Sequence, residues 1–153
     1  MTSLRERFTA DLKEAMKAGE KGKVSTIRLI TSALKDKDIE ARGLGKPETT
    51  PEEILALLQK MVKQRQESIA IYDANARPEL AEGERAEVAV IEGYLPRQMD
   101  EDAIKAAIAV AVTESGAASV KDMGKVIAIL RANHAGQMDF AKASGMVKAA
   151  LAG

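Results

Sequence analysis

The sequence predicts an all-α protein. Three observations carry that reading. Apolar residues recur every three or four positions in seven segments, helix-start signals precede several of them, and aromatic residues make up only 3% of the 153 residues. Strands favour aromatic and β-branched side chains in alternation, and no stretch of this chain alternates in that way.

The elements follow in order. Ser3 and Glu6 have the spacing of a capping box, in which each side chain satisfies the other's backbone amide, so a first helix is expected over about 3–18. Leu4, Phe8, Leu12, Ala15 and Met16 form its apolar stripe, and Gly19 ends it. A second helix, about 23–41, carries Ile27, Ile30, Thr31 and Leu34. Arg42–Thr49 holds two glycines and a proline and reads as a loop. Thr50-Pro51-Glu52-Glu53 places an N-cap, a first-turn proline and a capping glutamate in register, opening a third helix over about 51–75. Its stripe runs through Ile54, Leu57, Leu58, Met61, Val62, Ile69 and Tyr72. Arg77-Pro78 breaks it, because the proline ring disfavours helical geometry at the residue before. A fourth helix, about 78–93, turns Leu80, Val88 and Ile91 inward and ends at Tyr94-Leu95-Pro96.

Three shorter helices follow. Asp100 caps the fifth (about 100–115: Ile104, Ile108, Val112), Ser119 and Asp122 open the sixth (about 119–132: Met123, Val126, Ile127, Leu130), and Asp139 caps the seventh (about 140–151: Ala143, Val147, Leu151). The boundary is expected near Pro96–Met99. That gives an N-terminal four-helix unit over 1–96 and a three-helix tail over 97–153.

Composition removes several functions. There is no cysteine, so thiol redox chemistry and thiolate metal sites are excluded. His134 is the only histidine, which excludes a multi-histidine metal centre and a zinc-protease pair. It lies in an Asn133–Gly136 turn, where a structural role at a helix end is expected. No phosphate-binding loop is present: Gly116–Gly124 leads into Lys125 but is followed by Val126 where a metal-binding hydroxyl is needed. Neighbouring carboxylates such as Glu52/Glu53 and Asp100/Glu101/Asp102 sit in first turns, where the helix dipole accounts for them. No catalytic residue, cofactor or metal ligand is assigned. No apolar run approaches the ~20 residues of a membrane span and no signal-peptide core opens the chain, so a cytoplasmic protein without membrane contact is expected.

Net charge is zero but unevenly distributed. Residues 21–47 carry seven Lys/Arg against three acids, 48–102 six against thirteen, and 103–153 six against three. Basic ends around an acidic middle form a field that steers partners. Three places stand out. Arg65 lies on the apolar stripe of the third helix, where an unpaired charge would cost several kcal/mol, so Glu84 or Glu87 on the fourth helix is its expected partner. Tyr94, Leu95 and Pro96 read as a hinge whose Tyr and Leu anchor the tail. Gly124 inside a helix costs ~1 kcal/mol relative to alanine and implies a close backbone approach. Beside it, Lys121, Lys125, Lys142 and Lys148 form a candidate phosphate-facing patch.

The stretches 28–43 (ending TSALKDKDIEARG), 57–87 (LLQKMVKQRQESIAIYDANARPELAEGERAE), 90–99 (VIEGYLPRQM) and 119–130 (SVKDMGKVIAIL) resemble the YqeY family. That family is similar to the helical and tail portion of GatB, a subunit of the tRNA-dependent amidotransferase. The resemblance implies a helical bundle joined to a tail that grips tRNA. It also implies association with carbon–nitrogen ligation that uses glutamine as amide donor, without standalone catalysis. The expected function is therefore a tRNA-binding module accessory to amidation, with tRNA and an amidotransferase or aminoacyl-tRNA synthetase as candidate partners. Ligase activity within an amidotransferase complex is the first alternative. A structural protein-interaction module is the second, and apolar residues left exposed on the third and fourth helices would favour it.

Overall fold

The computed structural model describes residues 2–152. Among them are seven α-helices and no strand. The chain divides into two compact units, Met1–Leu95 and Pro96–Gly153.

In the first unit, α1 (Leu4–Ala18) starts where the Ser3 hydroxyl accepts the Glu6 amide at 3.1 Å, and stops at Gly19, whose φ of 72° is left-handed. Ala15 rather than Met16 completes its buried face; Met16 is 54% exposed. α2 (Lys21–Gly43) exceeds its expected span at both ends. Gly43 stays helical and Gly45, at φ 82°, makes the left-handed turn instead. α3 (Pro51–Ala74) opens with both halves of the Thr50–Glu53 capping box formed. Ala76 then adopts φ 54°, and α4 (Pro78–Glu92) runs back along α3.

These helices enclose one core. Phe8, Ile27, Ile30, Leu58 and Ile91 are fully buried, and each contributes about 1.5–3 kcal/mol by leaving water. The inner face of α4 differs from the expected one: Ala81 is buried in place of Leu80, which is 44% exposed. A polar latch ties α1, α2 and the loop before α3 together. Arg5 donates two bonds to the Asp38 carboxylate at 2.8 and 2.9 Å and a third to the Thr49 carbonyl, while Asp38 accepts the Thr49 amide at 2.9 Å.

In the second unit, α5 (Glu101–Ser115) begins at Asp100, whose carboxylate accepts the Ala103 amide, and ends at Gly116 with φ 69°. The expected sixth helix divides. A 3-10 turn over Val120–Asp122 comes first, and α6 spans Met123–Asn133. The Asp122 carboxylate accepts the amides of Ala118 and Ser119, which winds the chain tightly before the α-helix can start. α7 (Phe140–Ala152) closes the unit. Ile108, Val126, Leu130, Met138 and Val147 form its core. The entering segment is fastened to the turn after α6, since Met99 N–H donates to the Gln137 carbonyl and Gln98 to that of Gly136.

Candidate functional site

The tail's cations are set by what its acids do. After Gly116 the acids are Asp122 and Asp139. Backbone amides hold the Asp122 carboxyl below the usual range, Ala118 first and then Ser119. Asp139 accepts the amides of Ala141 and Lys142 at the start of α7. Both carboxylates therefore serve helix starts. Lys121, Lys125, Lys142 and Lys148 are all exposed. Lys125 approaches Asp122 only at 3.9 Å while 70% of its side chain faces solvent, a weak contact at that exposure.

The four lysines do not share one helical face. Lys121 belongs to the 3-10 turn, so the one-turn spacing to Lys125 expected for a continuous helix does not apply. Lys142 and Lys148 are six residues apart on α7, which places them about 240° apart around its axis. Gly124 also departs from expectation. A Cβ built there meets nothing within 4 Å, so no neighbouring backbone explains the glycine. His134 caps α6, its amide donating to the Leu130 carbonyl at 2.8 Å, and lines a shallow depression of about 380 Å³ with Met99, Ala103 and Val110. Sequence reading missed Arg131, whose guanidinium lies 4.8 Å from the Phe140 ring centre.

The other singled-out residues lie in the first unit. Arg65 Nε donates to Glu87 at 2.7 Å, with Glu84 at 4.0 Å, and its other end reaches the Met61 carbonyl. This cross-link between α3 and α4 satisfies the charge on both sides of the guanidinium. Tyr94 and Leu95 pack inside the first unit, rather than serving the tail as expected. The Tyr94 ring meets Phe8 edge-on at 4.8 Å, Arg7 stacks over it at 4.9 Å, and its hydroxyl donates to Asp11 at 2.6 Å. Burial, reinforced by the Asp11 carboxylate, pushes the Tyr94 hydroxyl well above the ordinary phenol range. Pro96 begins the second unit. The Arg5–Asp38–Thr49 latch gave no local signal because its members lie 11 to 44 residues apart.

Large apolar side chains remain on the surface. α3 and α4 leave Ile71 and Leu80 exposed, whereas α1 and α2 leave Met16, Leu29 and Ile39 exposed. Among the described residues, no three His, Asp or Glu side chains cluster closely enough to hold a metal ion. No single helix there is long and apolar enough to cross a membrane.

Residues 5–151 match the family model described as Yqey-like protein. The chain belongs to the YqeY-like family. Several curated relatives carry the name altered inheritance of mitochondria protein 41, mitochondrial. The relative from Pyrenophora tritici-repentis is 36% identical over 88 residues, 58% of this chain and 46% of that protein. The relative from Vanderwaltozyma polyspora is 38% identical over 85 residues, covering 56% and 44%. A Saccharomyces cerevisiae relative (strain YJM789) is 34% identical over the same length and shares. The YqeY-like chain thus spans less than half the length of these relatives. Their names correct the cytoplasmic expectation, since each is designated mitochondrial.

Proposed function

We propose that this YqeY-like chain is a helical binding module that contacts RNA of the tRNA class through α6 and α7, as an accessory to glutamine-dependent amidation carried out by a partner enzyme. One observation carries the reading. Asp122 and Asp139 are turned onto backbone amides while Lys121, Lys125, Lys142 and Lys148 stay exposed, so this half of the tail presents net positive charge. Phosphates are recognised by such exposed cations, and four contacts at most give weak, salt-sensitive binding. Because Lys142 and Lys148 lie on different sides of α7, a single RNA strand engages at most three of the four lysines. The nearly aromatic-free surface favours backbone contact over base stacking.

Nucleic acid retained on the purified chain at low salt tests this. RNA recovered with the wild type and lost from a Lys121→Glu, Lys125→Glu variant supports the reading. Retention unchanged in that variant removes it.

A further inference from the structure

The solvent-facing side of α2 next to its buried stripe carries a second arrangement, separate from the tail. Lys21, Arg28, Lys35 and Arg42 stand seven residues apart along this 23-residue helix, and all four are exposed. Seven residues advance an α-helix about 10.5 Å and return to nearly the same side, drifting about 20° per step. The four cations therefore form one row on a flank of the helix. Arg28, Lys35 and Arg42 each directly follow a buried residue, Ile27, Leu34 and Ala41, and so stand about 100° around the axis from them. Ser25 and Ser32 fill the turns between them. Among the described residues none of the four forms an ion pair. The acids of α2 leave the row largely uncompensated. Asp38 is held by Arg5 and Thr49, and Glu40 lies 3.4 Å from Lys37. The exposed Asp36, seven residues after Leu29, lies on the aliphatic side of the row rather than in it.

Aliphatic side chains interleave with this row. Ile39, 56% exposed, lies between Lys35 and Arg42. Leu29, 42% exposed, and Met16 of α1, 54% exposed, border an open groove of about 590 Å³ whose charged lining is Lys21 and Arg28. No acid lines that groove. A nucleic-acid backbone has charge to offer but no apolar surface to bury against Leu29, Met16 and Ile39. An amphipathic helix has both, and acids at heptad spacing would match the period of the row. Methionine at such a surface adapts to its occupant.

We propose that the α1–α2 face docks an acidic amphipathic helix of a protein partner, with aliphatic anchors against Met16, Leu29 and Ile39 and carboxylates paired to Lys21, Arg28, Lys35 and Arg42. The probe is a synthetic 21-residue helical peptide, roughly the length of α2, with leucines on one stripe and glutamate at every seventh position beside it. Amide shifts are followed on the isotope-labelled full chain. The expected result is perturbation centred on Met16, Leu29 and Ile39, and binding weakened at least about tenfold by Arg28→Glu with Lys35→Glu. A peptide with lysine in place of each glutamate should not bind the wild type, which keeps the test valid if the double variant folds poorly. The proposal is overturned if no shifts appear, or if replacing the peptide leucines by serine leaves binding unchanged. An RNA hairpin that perturbs these amides more strongly than the peptide also overturns it. So does sedimentation showing a dimer that Leu29→Glu dissolves, since a second copy would then occupy the face.

Discussion

The Arg5 guanidinium grips the Asp38 carboxylate through two bonds of 2.8 and 2.9 Å, joining α1 to α2 across 33 residues. Asp38 also accepts the Thr49 amide, so one carboxylate fixes two helices and the loop leading into α3. The Arg5 bonds, and after them the Thr49 amide, hold the Asp38 carboxyl well below the usual carboxylate range.

That depression fixes the sign of an acid effect. A carboxylate whose folded pKa lies below its unfolded value adds stability above the unfolded value, about 3.9, and loses it as pH falls towards the folded one. The wild-type melting temperature is expected to fall below about pH 4 more steeply than that of Asp38→Asn. At neutral pH, Asp38→Asn costs about 1.5–3 kcal/mol, the range for charge-assisted hydrogen bonds. Urea unfolding at pH 7 and pH 3 measures both, and parallel pH profiles for the two proteins would refute the latch.

Tyr94 gives the opposite sign. Its hydroxyl is buried and donates to Asp11, so the folded state holds the phenolic proton beyond the ordinary value of about 10. The associated stability is present below that value and is lost as pH rises through the folded one. Ultraviolet titration should resolve one of the two tyrosines as delayed until alkaline unfolding. Tyr94→Phe keeps the Phe8 contact and costs about 0.5–1.5 kcal/mol. Tyr94→Ala costs about 3–5 kcal/mol, as for a large core aromatic.

The Arg65–Glu87 cross-link predicts coupling. Arg65→Met and Glu87→Gln should each destabilise the first unit, and the double variant should lose less than their sum, by about 1–2 kcal/mol. Denaturant midpoints of the four proteins close the cycle. A coupling near zero would mean that Arg65 answers to something other than Glu87.

Two glycines of the tail separate conformational need from chance. Gly116 sits at φ 69° and ends α5, so Gly116→Ala should cost about 1 kcal/mol. Gly124 lies within α6 with open space where a Cβ would go, so Gly124→Ala should stabilise the tail by about 0.5–1 kcal/mol. Thermal unfolding of the full chain distinguishes them by direction alone.

These residues show what the sequence could convey. Local signals located every helix, because caps such as Ser3, Thr50 and Asp100 and the three-to-four-residue apolar spacing act within a turn or two. Arg65 was legible for a similar reason: a cation on an apolar stripe demands a partner on the facing helix. Ser119 and Asp122 form the capping box expected at the start of the sixth helical segment, but its first turn is 3-10 and α6 begins only at Met123. Leu80 and Met16 misled because small Ala81 and Ala15 take the close-packed positions instead. The Arg5–Asp38 and Asp11–Tyr94 pairs, 33 and 83 residues apart, depend on tertiary approach that no local pattern encodes.

The tail's affinity for RNA as a function of salt tests the functional account most directly. Binding of unfractionated tRNA, followed by anisotropy from about 20 to 200 mM KCl, should give a log–log slope of roughly −2 to −3, for three phosphate contacts at 0.7–0.9 each. Lys121→Glu with Lys125→Glu should bring that slope to within about one of zero. A wild-type affinity that is flat across this range, or a slope indifferent to those substitutions, would contradict the account.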